Sequence, residues 1–248
     1  MIKEGGKLPE AGLQVLEHGK VRKVSVAELF GGKAVVAFAL PGAFTPTCSS
    51  QHLPRYEELA PLFRQHGIDS IVCLSVNDPY VMAQWGKDQK VREVRLIADG
   101  SGDFARAMGL LVDTQDKGMG QRSRRYSMLV RDQRVEKLWV EPDEPGDPFK
   151  VSDADTLLRH LAPEEHPPRV AVLSKPGCPH CASARRMLDE AGVHYTDLPL
   201  DDSTRSRVLG AVTGEVTAPQ VFADGKRIGG TDALRAWLAR RPAEAVAG

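Results

Sequence analysis

The chain has 248 residues, 42% hydrophobic and 27% charged, which excludes global disorder and leaves room for one large domain or two small ones. Its 33 basic and 33 acidic side chains balance, so no bulk charge draws it toward nucleic acid or an anionic membrane surface. The longest apolar run, at 34–40, is too short for a membrane span, the start MIKEGGKLPE lacks a signal-peptide core, and four cysteines are too few for a disulfide scaffold.

A reducing cytoplasm is therefore the expected setting, and each cysteine reads as inert, metal-binding or redox-active. In chain order, AVVAFAL (34–40) and SIVCLSV (70–76) are apolar throughout, as strands covered on both faces should be. Further strands are expected at 94–98, 126–131 and 135–141. Between them, 49–66 and 79–89 read as helices, the first kinked or restarted at Pro54 and ended by Gly67. Short strands alternating with helices imply an α/β domain with a substantially parallel sheet, over residues 1–162.

A proline-rich linker is expected at 163–168, with a reach of roughly 19 Å at about 3.1 Å per residue. A second domain over 169–242 opens with a strand at 169–174 and a helix at 179–190 that starts on proline and closes near Gly192. A strand at 194–198 and a helix with an acidic start at 202–209 come next. Asp224-Gly225 turns a hairpin, Thr231 or Asp232 caps a last helix to about Arg240, and 243–248 reads as a flexible tail. The class is thus α/β in tandem.

Cys178-Pro179-His180-Cys181 lies between a strand and a helix start, where unpaired amides and the helix dipole favour an anion. Cys178, at the open end, is the candidate attacker, Cys181 can resolve a mixed disulfide, and Lys175 adds positive charge. No second CxxC exists to complete a zinc site, and His180 is expected to face solvent. Downstream, a cis peptide at Thr217-Ala218-Pro219 would bare the backbone of Ala218 for an extended ligand. The amides and polar side chains of Gly229-Gly230-Thr231-Asp232 suit a carboxylate.

KPGCPHC (175–181), TAP (217–219) and IGGTD (228–232) together resemble glutaredoxin, in order and spacing, over essentially all of 169–241. The resemblance implies a thioredoxin-type fold and a glutathione site at Lys175, Cys178, Ala218, Pro219, Gly230, Thr231 and Asp232. In it, Lys175 and Asp232 grip the tripeptide's carboxylates, Ala218 pairs with its backbone and Cys178 bonds its sulfur. An iron–sulfur carrier role is the rival within this resemblance, and the presence of Cys181 argues against it.

In the first half, LPGAFTPTCSS (40–50) leaves a strand and enters a helix, so the same dipole favours an anion at Cys48. A cysteine among Pro46, Thr47 and two serines is poorly placed for a core. Thr45 can donate a hydrogen bond to the sulfur and Pro41 can wall off one side. A reactive thiolate also needs a cation, and Arg125 is preferred because alternation on a strand aims only one of Arg124 and Arg125 at the pocket. Arg122 and Arg124 are expected to be solvated, and Cys73, inside an apolar strand, to be an inert core thiol.

PGAFTPTCS is similar to the active-site pattern of peroxiredoxins, and CLSVND (73–78) and RYSMLV (125–130) resemble their type-five class, over about residues 3–161. The resemblance implies a peroxidatic Cys48, with Thr45 and Arg125 as activators and Pro41 as shield, and a homo-oligomer, dimer or tetramer. Some type-five members carry a resolving cysteine late in the domain, and 147–153 holds none. Reduction of Cys48 is then expected from glutathione through Cys178, with hydrogen peroxide and alkyl hydroperoxides as substrates and no bound cofactor or metal. The linker's reach is modest against the width of a domain this size, so Cys178 is expected to serve a neighbouring subunit's Cys48. The rival of another class is a peroxide sensor or redox-regulated chaperone whose signal is Cys48 oxidation.

Overall fold

A computed structural model describes residues 1–200 and 203–241. The expected acidic helix start at Asp202 and the tail at 243–248 lie outside the described residues. The chain divides into two compact units, Met1–Glu165 and His166–Gly248. No described helix is long and apolar enough to cross a membrane.

The first unit runs β1 (Leu13–Glu17), β2 (Lys20–Val24), α1 (Val26–Phe30), β3 (Ala34–Leu40), a π-helical turn (Cys48–His52) and α2 (Leu53–Gln65). It continues with β4 (Ser70–Ser75), α3 (Pro79–Asp88), β5 (Val94–Ala98), α4 (Asp103–Ala107), β6 (Leu111–Asp113) and β7 (Gln121–Ser123). Then come β8 (Tyr126–Arg131), β9 (Arg134–Val140) and α5 (Ala154–Leu161). Seven strands form one sheet in the order β2-β1-β5-β4-β3-β8-β9, and β6 pairs with β7.

The expectation of a substantially parallel sheet is corrected. Only β3, β4 and β5 run parallel, and every other pairing in this sheet is antiparallel. Two tight hairpins impose the β1–β2 and β8–β9 pairings. His18-Gly19 joins β1 to β2 at φ 51° and 75°, and Asp132-Gln133 joins β8 to β9 at φ 43° and 63°. Such left-handed pairs match the twist of antiparallel strands.

All seven residues of β3 are buried, and their alternation explains why. Val36, Phe38 and Leu40 enter one core with Cys48, Tyr56 and Trp85, while Val35, Ala37 and Ala39 enter a second with Phe30 and Tyr126. The helix expected over 49–66, with a kink or restart at Pro54, does restart there as α2. A π-helical turn precedes it, with the Leu53 N–H on the Cys48 carbonyl, and Pro54 then sits in the first turn of α2. Proline lacks an N–H and crowds the carbonyl four residues back, which widens the preceding turn rather than kinking the helix. Pro61 lies inside α2, and Gly67 closes it at φ 78°.

The second unit runs β10 (Val170–Ser174), α6 (Pro179–Glu190), β11 (Tyr195–Pro199), α7 (Ser203–Thr213), β12 (Gln220–Ala223), β13 (Lys226–Gly229) and α8 (Thr231–Ala239). Its sheet has the order β11-β10-β12-β13, with β10 parallel to β11 and antiparallel to β12. Val172, Ala184, Leu188, Val221 and Leu234 fill its core. Neither Thr231 nor Asp232 caps α8. Gly230 holds that position without a side-chain cap, because Thr231 turns its hydroxyl to the His180 carbonyl at 3.4 Å and Asp232 pairs with Arg235 at 2.9 Å.

Candidate active site

Cys48 opens the π-helical turn, and its Sγ accepts from Arg125 Nη1 at 3.4 Å. The expectation that it avoids the core is corrected: it has no exposed surface and packs with Phe38, Tyr56 and Trp85. Of its flanks Pro46 and Ser50 are exposed, while the turn's inward face carries Cys48 and His52. The Trp85 indole N–H donates to Ser49 Oγ at 3.0 Å, tying α3 to the turn.

Arg125 sits just before β8, opposite the end of β9, and is 3% exposed. Its Nη1 is shared between Cys48 and His52 Nδ1, the latter at 3.1 Å. Nη2 meets both Asp147 oxygens at 2.6 and 2.7 Å, and the guanidinium lies 5.5 Å from the Phe149 ring centre. This planar fork therefore presents a fixed positive charge to the sulfur.

His52 and Asp147 were not singled out from the sequence. His52 lies four residues after Cys48, the spacing that puts two side chains on one helical face, and this was a readable signal. Asp147 reaches Arg125 only through the loop after β9, for which the sequence carries no signal. Burial first, and the Arg125 charge second, hold the His52 pKa well below its ordinary value, so the ring is neutral. Its Nε2 lies 3.1 Å from the Ser152 carbonyl, which can only accept, so Nε2 carries the proton and Nδ1 accepts from Arg125.

Other expected residues are placed differently. The Thr45 hydroxyl donates to the Gly42 carbonyl at 2.8 Å instead of to the sulfur, which shapes the 42–45 turn. Pro41 is half-buried, and Asn77 Oδ1 accepts from the Ala43 N–H at 3.0 Å, which anchors the same loop. Arg122 and Arg124 are half-buried and bonded to backbone rather than freely solvated. Arg122 donates to the carbonyls of Met119 and Val76, and Arg124 to that of Glu141, because each is drawn to loop carbonyls that no strand satisfies. Cys73 is fully buried; burial, then the neighbouring Cys48 charge, push its thiol pKa well up.

In the second unit Cys178 caps α6, and its half-buried Sγ accepts from the Cys181 N–H at 3.3 Å. Burial opposes ionisation there, but the Cys181 thiol and N–H, the His180 N–H and the Lys175 charge outweigh it and hold the Cys178 pKa below the ordinary thiol value. Cys181 is buried, and burial with the Cys178 anion pushes it up to about 11. The Ala218–Pro219 bond is cis, and the Ala218 carbonyl lies 3.6 Å from Cys178 Sγ. Buried Gln220 holds this segment through the Thr217 carbonyl at 2.9 Å. Lys175 is exposed, and Thr231 links the start of α8 to His180 of the CxxC. Asp232 is itself an anion paired with Arg235, so it repels a carboxylate and suits an ammonium group instead.

The Redoxin family model matches residues 3–158, and the Glutaredoxin model matches residues 170–228. The chain belongs to the peroxiredoxin family, in the hybrid form that carries a glutaredoxin domain, and its units are two thioredoxin-fold domains in tandem. It is a thiol peroxidase by class. It is 48% identical over 237 residues to the hybrid peroxiredoxin hyPrx5 of Haemophilus influenzae, covering 95% of this chain and 98% of that one. Peroxiredoxin sll1621 of Synechocystis is 55% identical over 144 residues, 56% of this chain and 76% of that one. Among solved structures, reduced Prx3 of Vibrio vulnificus in complex with hydrogen peroxide is 45% identical, with a TM-score of 0.62 over 65% of this chain and 99% of that one.

Proposed function

We propose that the chain reduces hydrogen peroxide and alkyl hydroperoxides at the expense of glutathione, with Cys48 as peroxidatic cysteine and Cys178 as the glutaredoxin nucleophile. The Cys48 thiolate attacks the terminal peroxide oxygen. The O–O bond breaks, water or alcohol leaves after taking up a proton, and the sulfur becomes a sulfenic acid. Arg125 steadies both the thiolate and the charge growing on the leaving oxygen. Glutathione condenses with the sulfenic acid, releasing water and leaving a mixed disulfide. The Cys178 thiolate attacks the glutathione sulfur and frees Cys48, and a second glutathione releases oxidised glutathione from Cys178.

Lys175 and the amides that open α8 at Gly230 and Thr231 would take the tripeptide's carboxylates, Ala218 and Pro219 its backbone, and Asp232 its ammonium. Thr45 and Pro41 shape the peroxide entry, and Cys181 stays protonated as a dispensable second thiol. The site lies on the reading of a cytoplasmic homo-oligomer, in which Cys178 serves the Cys48 of a neighbouring subunit. The observation that carries the proposal is the shared Arg125 Nη1 between Cys48 and a neutral His52.

The test is NADPH consumption coupled through glutathione reductase. Wild type and Cys181→Ser should turn over steadily, Cys178→Ser slowly and Cys48→Ser not at all. Wild-type turnover by Cys178→Ser would remove the relay, and activity in Cys48→Ser would remove the whole reading. A single stoichiometric burst in wild type would indicate a sensor. Exchanged oligomers of Cys48→Ser and Cys178→Ser chains should regain activity, and no recovery would refute transfer between subunits.

A further inference from the structure

Glu141 directly follows β9, is 3% exposed and touches no reacting atom. One carboxylate oxygen accepts from the N–H groups of Val151 and Ser152 at 2.9 and 2.7 Å and from the Ser152 hydroxyl at 2.7 Å. The other accepts from the Lys150 N–H at 2.8 Å. Four donors thus converge on one buried anion, and they outweigh burial to hold its pKa below the ordinary carboxylate value. Its backbone is engaged as well: the Glu141 N–H donates to the Arg125 carbonyl at 3.0 Å, and its own carbonyl accepts from Arg124 at 2.8 Å.

The segment pinned by this carboxylate supplies the Ser152 carbonyl, which takes the His52 Nε2–H at 3.1 Å and the Tyr56 hydroxyl at 2.9 Å. That carbonyl decides which His52 nitrogen bears the proton. With the proton on Nε2, Nδ1 offers a lone pair to Arg125 Nη1. With the proton on Nδ1, two N–H groups would face each other and the guanidinium would be pushed off the sulfur.

We propose that Glu141 is a positioning residue for the Cys48 reaction: its carboxylate fixes the 150–152 backbone, the Ser152 carbonyl thereby fixes the His52 tautomer, and His52 holds Arg125 against the sulfur. The proposal rests on the peroxidatic reading of Cys48. The titratable and charged groups around Cys48 are Arg125, with Asp147 behind it, His52, Cys73 and the buried Tyr56, whose phenol burial keeps protonated. Glu141 changes none of their number, only the alignment of the cation.

The test uses the full chain. In wild type labelled with nitrogen-15 histidine, His52 should carry its proton on Nε2 throughout the neutral range. In Glu141→Gln an amide N–H₂ replaces one acceptor and faces the 150–152 donors. His52 should then show mixed tautomers, the pH–rate profile of Cys48 should move to higher pH, and peroxide reaction in a single turnover should slow roughly tenfold, the scale of one misaligned charged hydrogen bond. Release of oxidised glutathione from Cys178 should be unchanged. A Glu141→Gln chain that melts lower but keeps the wild-type rate, profile and tautomer would overturn the proposal. So would a wild-type His52 protonated on Nδ1, a result that needs no variant to fold. If wild-type Cys48 ignored peroxide, the peroxidase reading would fall, while the tautomer would still decide the role of Glu141.

Discussion

Arg125 joins the candidate site of the first unit together, since one guanidinium meets a sulfur, a neutral imidazole and a carboxylate at once. Lysine keeps the charge but loses the fork. Arg125→Lys should therefore slow the reaction of Cys48 with peroxide about 100-fold, as for loss of a preorganised donor, read by stopped-flow. The two CxxC thiols make the opposite test by pH. Only the thiolate attacks an alkylating agent, so reactivity appears as pH rises through each pKa. Cys178, held below the ordinary 9.0, should be labelled first, and Cys181, at about 11, only in strong alkali, which mass spectrometry of peptides resolves. At this scale the approach of Arg125 to Cys48 and the place of Cys178 at the start of α6 were legible because the chemistry names its own residue types. Asp147 and Glu141 were not, since each works across a loop whose path the sequence does not encode locally.

Elements whose residues are apolar on both faces, such as β3 and β4, were legible with correct ends or nearly so. Those that rely on charged, half-exposed residues, such as β2 with its KVRKV, were not, because their pairing comes from a hairpin rather than from pattern. The π-helical turn was hidden for a different reason: its width follows from the neighbouring proline, and it turns Cys48 and His52 together toward the core. Helix starts are more local. Asp78 caps α3 by accepting from the N–H groups of Tyr80 and Val81 at 2.9 and 3.0 Å. Asp78→Ala should cost the first unit about 0.5–2 kcal/mol, seen as a lower urea midpoint with an unchanged slope.

At the scale of the whole molecule, the two units have separate cores, and none of the residues packed around Val172 and Leu188 belongs to the first unit. Leu188→Ala should therefore cost the second unit about 2–5 kcal/mol, exposing it to proteolysis, while peroxide oxidation of Cys48 in a single turnover keeps its rate. Tryptophan is divided between the units, with Trp85 and Trp139 in the first and Trp237 in the second. Trp85, buried and tethered to the residue beside Cys48, and Trp237, under Arg241 in α8, occupy unrelated surroundings. An oxygen gained by the sulfur at 48 would lie in the core that holds the Trp85 indole, so oxidation there should change the emission of Trp85. The first unit thus carries its own optical gauge of that oxidation, beside the very turn that would be oxidised.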